Sequence, residues 1–558
     1  RGLGGGCFDW LADSSGIVYV AADGELWCQP LAAAPRQLTT FERTCRAPSV
    51  SPCGSFVVVV VDEAEVWRVS LDPGDPAGPG NPGVSGDPDA PVRLDDGADA
   101  FCFDPDVSAD SARVVWVGWN PPSMPWDAAQ LVTATVGAGA IEHVRWGLPE
   151  ASVQQPRWCA DGSLACVHDG SGWLNVHIDA EPVAAEPAEH AGPTWGMGQH
   201  SYAVSPDGSR VAFARNEDGF GRLCVADRGS GAVREVARGV HGQLRWVGES
   251  LVALRTGART PTQVVAYETG NWNRDVLVVG PTAGWDHVEL PEPELVAVPS
   301  TSTTGRAGDA RPGLDLHARR YVAGNGRLLC WVHGGPTDQW QVDFRPRIVY
   351  WWSRGWDVLV VDPRGTTGHG RAFQRALNGG WGRDDVDDTV ALIRHAHGEG
   401  WATPQHTVVM GGSSGGLTVL GVLADHPDIV AGAVASYPVS DLEDLAAATH
   451  RFEAHYTETL VGASDDPDTA RRMIELSPLH RADRIAGPLL LLHGSDDPVV
   501  PVAQSDFLVQ RIRAGGGDVD FVVYQGEGHG FRDPLNQRDE YARIERFLHG
   551  ISGTTSSG

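Results

Sequence analysis

The chain has 558 residues, a net charge of −29 at pH 7 and 42% hydrophobic residues, with 20 Trp. This length predicts two or more domains of ordinary size, and the composition is globular rather than disordered or fibrous. All 43 basic residues are Arg, which excludes chemistry that needs a lysine, such as a P-loop, a Schiff base or a Ser-Lys dyad. No basic run is present, so binding to nucleic acid is not expected.

The nine cysteines predict neither a disulfide framework nor a zinc site, because they are scattered, odd in number and never spaced as C-x-x-C. All lie at or before Cys330, which argues against a cysteine nucleophile in the C-terminal third. No apolar run approaches the ~18–20 residues that span a bilayer, and the first residues do not form a signal peptide. We therefore expect a cytoplasmic protein without a membrane segment. The chain begins at Arg1 rather than Met, so a missing N-terminal segment stays open.

Residues 1–294 are predicted to form an all-β propeller of six or seven blades. Short strands rich in Val, Trp and Phe alternate with polar turns, and a turn such as SPDG followed by an apolar strand recurs six times. Its spacing of roughly 40 to 57 residues suits blades of four strands, with the Pro/Gly-rich stretch 72–91 as an insertion. One or two β-sandwiches are the alternative.

After a linker at 295–326, residues 327–552 are predicted to form an α/β-hydrolase domain with a mostly parallel, doubly wound sheet. Near-continuous apolar runs such as RLLCWVHGG and GPLLLLHG indicate strands that are covered on both faces. Helical patterns, VDDTVALIRHAH among them, separate these runs. In such sheets the active site lies at the carboxyl ends of the strands.

The run HTVVMGGSSGG followed by LTVLGVLA has the strand, turn and helix context of a G-x-S-x-G nucleophile elbow. The motif fits in two frames, with either Ser413 or Ser414 as the nucleophile, and spacing does not decide between them. If Ser413 is the nucleophile, the backbone N–H of Ser414 is placed to join the oxyanion hole.

An acid and a histidine follow two later strands, in HGSDDPVVP and in YQGEGHGF. The order Ser, Asp, His is that of α/β-hydrolases, in which the histidine deprotonates the serine and the carboxylate orients the histidine. The histidine is His529, and either Asp496 or Asp497 is the acid. His493 precedes the acid loop, and we interpret it as structural.

The sequence HGGPT, residues 333–337, follows the first buried strand of the second domain. Adjacent glycines allow a backbone N–H to point at a developing oxyanion, as in the HGGG-type loops of esterases. A tight turn that only ends the strand is the alternative.

These motifs resemble the prolyl oligopeptidase family of serine peptidases, close to its acylaminoacyl peptidase and dipeptidyl aminopeptidase branch. HGGPT, DPRGTTGHGRAF, GGWGRDDVDD, GGSSGG, RFEAHY, HGSDDPVVP and GEGHGF carry the resemblance, together with NPPSMPWD and QPRWCADGSL in the propeller. The resemblance implies a triad of Ser413, Asp497 and His529 and an oxyanion hole formed by the backbone N–H groups of Gly335 and Ser414.

The chain departs from the family pattern at Ser414 and Leu417, where relatives often have larger residues, and at Asp362-Pro363, where a tyrosine usually precedes Arg-Gly. These departures lie beside the substrate and concern specificity. The segment that usually precedes the propeller in this family is expected to be short or missing.

The sequence thus predicts a peptidase that hydrolyses short or acylated peptides without a metal or organic cofactor, and it leaves a homo-oligomer open. One alternative is an esterase or amidase that uses the same triad on a small metabolite. The other is a propeller scaffold that binds partners and carries an inactive hydrolase domain.

Overall fold

The computed structural model describes residues 6–71, 90–136, 141–282, 284–299, 314–463 and 465–552. Contacts divide the chain into two units. The first comprises Arg1–Arg255 and Thr262–Val279, and the second comprises Thr256–Pro261 and Gly280–Gly558. The predicted Pro/Gly-rich insertion falls largely outside the described residues.

The first unit consists of six antiparallel sheets of four strands, each built from four consecutive strands of the chain. Its strands, four to a sheet, are β1 (Phe8–Trp10), β2 (Gly16–Val20), β3 (Leu26–Pro30), β4 (Arg36–Gln37), β5 (Cys45–Val50), β6 (Phe56–Val61), β7 (Glu65–Ser70), β8 (Val92–Arg93), β9 (Phe101–Val107), β10 (Arg113–Trp119), β11 (Gln130–Thr135), β12 (His143–Trp146), β13 (Val153–Trp158), β14 (Leu164–His168), β15 (Asn175–Ile178), β16 (Glu181–Pro182), β17 (Tyr202–Val204), β18 (Arg210–Glu217), β19 (Phe220–Asp227), β20 (Val233–Arg238), β21 (Val240–Val247), β22 (Ser250–Gly257), β23 (Thr260–Glu268) and β24 (Arg274–Val279).

Each of the six recurrent turns joins the first and second strands of one sheet. In three of them the hydroxyl of the leading serine accepts the backbone N–H five residues later, as Ser51 does from Phe56, Ser108 from Arg113 and Ser205 from Arg210. The first strands of all six sheets line one cavity of about 370 Å³. The predicted propeller is confirmed, with six blades.

The second unit contains one eight-stranded sheet in the order β25-β26-β28-β27-β29-β30-β31-β32. β26 pairs antiparallel with both of its neighbours, β25 and β28. The remaining neighbours in this order, from β28 to β32, pair parallel. The strands are β25 (Glu294–Pro299), β26 (Asp315–Tyr321), β27 (Leu328–Val332), β28 (Asp357–Asp362), β29 (Thr407–Gly412), β30 (Gly432–Ser436), β31 (Leu489–Gly494) and β32 (Val519–Tyr524).

Helices connect these strands. They are α1 (Pro346–Ser353), α2 (Arg371–Arg375), α3 (Asp384–Gly398), α4 (Ser414–Asp425), α5 (Leu442–Ala448), α6 (Tyr456–Leu460), α7 (Pro467–Leu476), α8 (Val502–Ala514) and α9 (Pro534–Ser552), with 3₁₀ turns at Pro404–His406, Pro427–Ile429 and Pro478–Arg484. The apolar residues of α3, α4 and α8 share one core with the sheet. The predicted α/β-hydrolase architecture is confirmed. Across the described part of the chain, every helix is too short or too polar to span a bilayer.

β26 and most of β25 fall in the segment 295–326, which the sequence predicts as the linker and the entry to the hydrolase domain. Residues 300–313 of that segment are outside the described part of the chain. β26 looks polar in sequence, but its Arg319 is buried and paired with Asp362. A strand with paired charges does not show the apolar run by which the central strands were predicted. The domain boundaries at 294 and 326 stay predictions.

Candidate active site

The turn between β29 and α4 holds Ser413 in a strained conformation. Its φ of 57° and ψ of −125° are unfavourable for a residue with a side chain. A Cβ on Gly411 would lie 2.6 Å from the carbonyl oxygen of Gly415, and one on Gly415 would lie 2.5 Å from that of Val332. The flanking glycines therefore allow a turn this tight. Ser414 is already the first residue of α4, so the strained position falls on Ser413 alone.

Asp497 and His529 are hydrogen-bonded at the same edge of the sheet, in the loops after β31 and β32. His529 Nδ1 lies 2.7 Å from Asp497 Oδ2, and the other carboxylate oxygen accepts the backbone N–H groups of Val499 and Val500. Burial would raise the pKa of Asp497, but hydrogen bonds from His493 and His529 hold it well below its usual range. The alternative acid, Asp496, instead accepts from the hydroxyl of Ser495.

Tyr437, directly after β30, lies between the serine turn and the histidine. Its ring centroid is 4.6 Å from that of His529, and a Cβ on Gly412 would lie 2.9 Å from its Cε2. Among the described residues no hydrogen bond joins Ser413 Oγ to His529. The Tyr437 ring contacts His529 on one side and lies close to Gly412 of the serine turn on the other. We did not predict this residue, although its position after a buried strand was a usable signal.

His493 contributes to the same carboxylate. It is fully buried, and its Nε2 lies 3.0 Å from the carbonyl oxygen of Val500 and 3.4 Å from Asp497 Oδ2. A carbonyl oxygen can only accept a hydrogen bond, so the Nε2 of His493 carries a proton. The Nδ1 of the same ring lies 2.7 Å from the hydroxyl of Ser505. The prediction of a purely structural histidine misses this contact with the acid.

The loop 333–337 lies beside the serine turn. A Cβ on Gly334 would be 3.4 Å from the Cβ of Ser413, and Gly335 adopts a φ of +126°, which favours glycine. Tyr456 holds the end of the loop: its hydroxyl accepts the backbone N–H of Thr337 and donates to the Thr337 hydroxyl at 2.6 Å.

Ser414 is fixed from its other side by the indole of Trp381, which donates to Ser414 Oγ at 2.9 Å. Both side chains are buried. This contact gives the GGWG motif a role that the sequence did not reveal, because it connects residues 33 positions apart.

Asp362, where relatives usually have a tyrosine, is the centre of a buried ionic network. It accepts two hydrogen bonds from Arg319, one from His369 at 2.8 Å and one from Gln339 at 2.9 Å. Burial would raise the pKa of Asp362, but the charge of Arg319 and the hydrogen bonds from Arg319 and His369 hold it well below its usual range. Gln339 follows the 333–337 loop by two residues, so the network braces the segment that carries Gly335.

A narrow cavity lies beside Ser413. Apolar side chains form much of its wall, and Glu453 is the one carboxylate among the described residues that line it. The apolar lining residues are Trp381, Val439, Leu445, Val499 and Val500.

A six-bladed propeller followed by an α/β-hydrolase sheet with a serine elbow defines the architectural class of this chain. Residues 342–555 match the model of the prolyl oligopeptidase family. The predicted resemblance is therefore confirmed.

Curated relatives match about two fifths of the chain. Dipeptidyl aminopeptidase BIII of Pseudoxanthomonas mexicana is 36% identical over 224 residues, 40% of this chain and 32% of that protein. Dipeptidyl peptidase family member 6 of Caenorhabditis elegans is 33% identical over 231 residues, 41% of this chain and 31% of that protein. The acylamino-acid-releasing enzyme of Arabidopsis thaliana is 26% identical over 222 residues, 39% of this chain and 29% of that protein. The matches span about a third of these relatives' own length.

Two solved structures resemble nearly the whole chain. A puromycin hydrolase is 28% identical with a TM-score of 0.85, over 97% of this chain and 85% of that one. A puromycin-hydrolyzing peptidase of Mycobacterium tuberculosis is 27% identical, with the same TM-score and coverage.

Proposed function

We propose that the protein is a serine peptidase that hydrolyses short peptides through an acyl-enzyme. Ser413 acts as the nucleophile, His529 as the general base and then the general acid, and Asp497 as the carboxylate that orients His529. The observation that carries the proposal is the hydrogen bond between His529 and Asp497, at the sheet edge where Ser413 adopts its strained turn.

In the first step His529 removes the proton of Ser413 as Oγ attacks the peptide carbonyl carbon. Asp497 accepts a hydrogen bond from Nδ1 of His529, so Nε2 of the same ring is the atom that takes up the proton. The imidazolium then protonates the amine leaving group, and water hydrolyses the resulting ester by the same route. Ionised Asp497 stabilises the imidazolium in both halves of the reaction.

The backbone N–H groups of Gly335 and Ser414 are proposed to stabilise the oxyanion. The Ser414 N–H lies in the first turn of α4, where the helix dipole adds to its partial positive charge. Trp381 and the Asp362 network hold the two donors' segments in place. The names of the relatives support peptides as substrates.

The test is hydrolysis of aminoacyl, dipeptidyl and acyl-peptide nitroanilides, together with puromycin and simple esters. We expect anilide hydrolysis by the wild type, a loss of at least about 10³-fold for Ser413→Ala, and a much smaller loss for Ser414→Ala, which keeps its backbone N–H but loses the hydrogen bond from Trp381.

The reverse pattern, with Ser414→Ala inactive and Ser413→Ala active, would assign the other serine. Ester cleavage without anilide cleavage would indicate an esterase. A folded wild type inactive on the whole panel would indicate a scaffold. A cytoplasmic location, action on acylated peptides, a homo-oligomer and independence from cofactors stay predictions.

A further inference from the structure

Tyr437, the residue after β30, lies in a segment that is hydrogen-bonded to the serine turn on both sides. Its φ of +39° is uncommon for a residue with a side chain. The backbone N–H of Ser413 donates to the carbonyl of Ser436 at 3.1 Å, and the N–H of Val439 donates to the carbonyl of Ser413 at 3.3 Å. The N–H of Tyr437 itself donates to the carbonyl of Leu492 at 2.6 Å. The backbone of Tyr437 is therefore fixed between the serine turn and the neighbouring strand β31.

The side chain of Tyr437 extends from this backbone into the space between the serine turn and the histidine loop. A Cβ on Gly412 would lie 3.2 Å from the Tyr437 hydroxyl oxygen, and one on Gly530 would lie 4.0 Å from it. The ring centroid is 4.6 Å from that of the His529 imidazole, with an angle of 57° between the planes. The ring of Phe531 packs nearly perpendicular to Tyr437 at 5.8 Å. These neighbours hold the Tyr437 ring in contact with the imidazole.

The imidazole of His529 thus has a carboxylate at one edge and an aromatic ring beside it. Among the described residues Asp497 is the charged group bonded to this imidazole, at 2.7 Å. The charged groups that face Tyr437 from α1 and α9, Arg347 and Glu540, pair with each other at 3.4 Å. An aromatic ring attracts a cation that lies within about 6 Å of its centroid, because its faces carry negative charge. The ring therefore favours the imidazolium over the neutral imidazole.

We propose that Tyr437 is a positioning residue of the triad, whose ring holds the imidazole of His529 against Asp497 and stabilises the imidazolium that forms during catalysis. This inference rests on the proposed peptidase function. It goes beyond that function because it assigns to an aromatic ring part of the stabilisation that the triad scheme assigns to Asp497 alone. The role requires the ring and not the hydroxyl, so phenylalanine should replace Tyr437 and an aliphatic residue should not.

The experiment measures kcat and KM as a function of pH on a nitroanilide that the wild type hydrolyses. We expect Tyr437→Leu to lower kcat by about 3- to 10-fold with little change in KM, and Tyr437→Phe to keep most of the wild-type rate. Activity requires neutral His529, and without the ring the imidazolium loses a favourable contact. The acidic limb of kcat/KM should therefore move to lower pH in Tyr437→Leu, by about half a pH unit.

The matched control is Phe531→Leu, which removes a ring that packs on Tyr437 and leaves the ring beside His529 in place, so its acidic limb should not move. A second variant, with pentafluorophenylalanine in place of Tyr437, keeps a ring of similar shape and reverses the charge at its face. It should shift the acidic limb in the same direction as Tyr437→Leu, and it keeps the test available if the leucine variant does not fold.

An acidic limb that stays in place in both Tyr437→Leu and the fluorinated variant would overturn the inference and leave the peptidase proposal standing. An equal shift in Phe531→Leu would also overturn it, because the effect would then come from general packing. An equal loss of kcat in Tyr437→Phe and Tyr437→Leu would contradict the role of the ring and point to the hydroxyl. A wild type without hydrolysis and without fluorophosphonate labelling of Ser413 would overturn both proposals.

Discussion

The carboxylate of Asp497 receives hydrogen bonds from two histidines, and the two have different environments. His529 is partly exposed and lies against Tyr437, whereas His493 is fully buried between Val500 and Ser505. The buried histidine cannot reach a substrate. It acts through Asp497, as a positioning residue.

We predict that His493→Ala lowers kcat by about 10-fold and changes KM little, because the variant loses a donor that orients the acid. His493→Gln, which keeps an amide N–H near the position of Nε2, should recover part of the loss. Steady-state kinetics on a nitroanilide provides the measurement. An unchanged kcat in folded His493→Ala, or no difference between the two variants, would show that the contact with Asp497 has no catalytic role.

The choice between Ser413 and Ser414, and between Asp496 and Asp497, marks the limit of sequence reasoning at this scale. The strings GGSSGG and GSDDP permit both members of each pair, since spacing carries no information on φ or on side-chain partners. In the structure the strained φ falls on Ser413, and the contact with His529 falls on Asp497. Tyr437 and Trp381 were missed as site residues because their partners lie far away in sequence.

Among the helices, α3 and α4 are joined by a buried carboxyl group. Asp385 accepts from the hydroxyl of Thr418 at 2.5 Å and from the backbone N–H of Gly382 at 2.7 Å. Burial raises the pKa of Asp385 to about 6. The folded state therefore binds this proton more tightly than the unfolded chain, and stability falls as the pH rises from about 4 through 6.

Asp385→Asn keeps an acceptor and removes the charge. We expect the variant to be more stable than the wild type by up to about 3 kcal/mol at pH 8 and by about half as much at pH 5. Calorimetric unfolding at the two pH values measures the difference, and Asp387→Asn on the same helix is the control. A gain that is equal at both pH values, or that appears in the control, would contradict this account of Asp385.

Elements with a strong apolar pattern could be predicted from the sequence, and weakly patterned ones could not. β6 is five valines after a phenylalanine, and all six residues are buried, so its run is unmistakable. β25 is mostly exposed, and β26 carries charges that are neutralised only in the fold. The six propeller turns were visible because similar turn residues recur before an apolar strand, and three of these turns share the same serine hydrogen bond.

For the whole chain, the order of a repeating β segment and an α/β segment was sufficient to predict a propeller joined to a hydrolase sheet. The sequence did not decide between six and seven blades. Each recurrent turn marks only the first hairpin of a sheet, so a sheet without such a turn would not be recognised. The structure has six. The composition of the cavity beside Ser413 was not predictable either, because its lining residues come from segments far apart in sequence.

The central claim, that Ser413 is the nucleophile of a Ser-His-Asp triad, is tested most directly by locating a fluorophosphonate adduct by mass spectrometry on the full chain. We predict one adduct, on Ser413, no adduct in Ser413→Ala, and labelling at least about 10²-fold slower in His529→Ala. An adduct on Ser414, or a folded wild type that is not labelled at all, would contradict the claim.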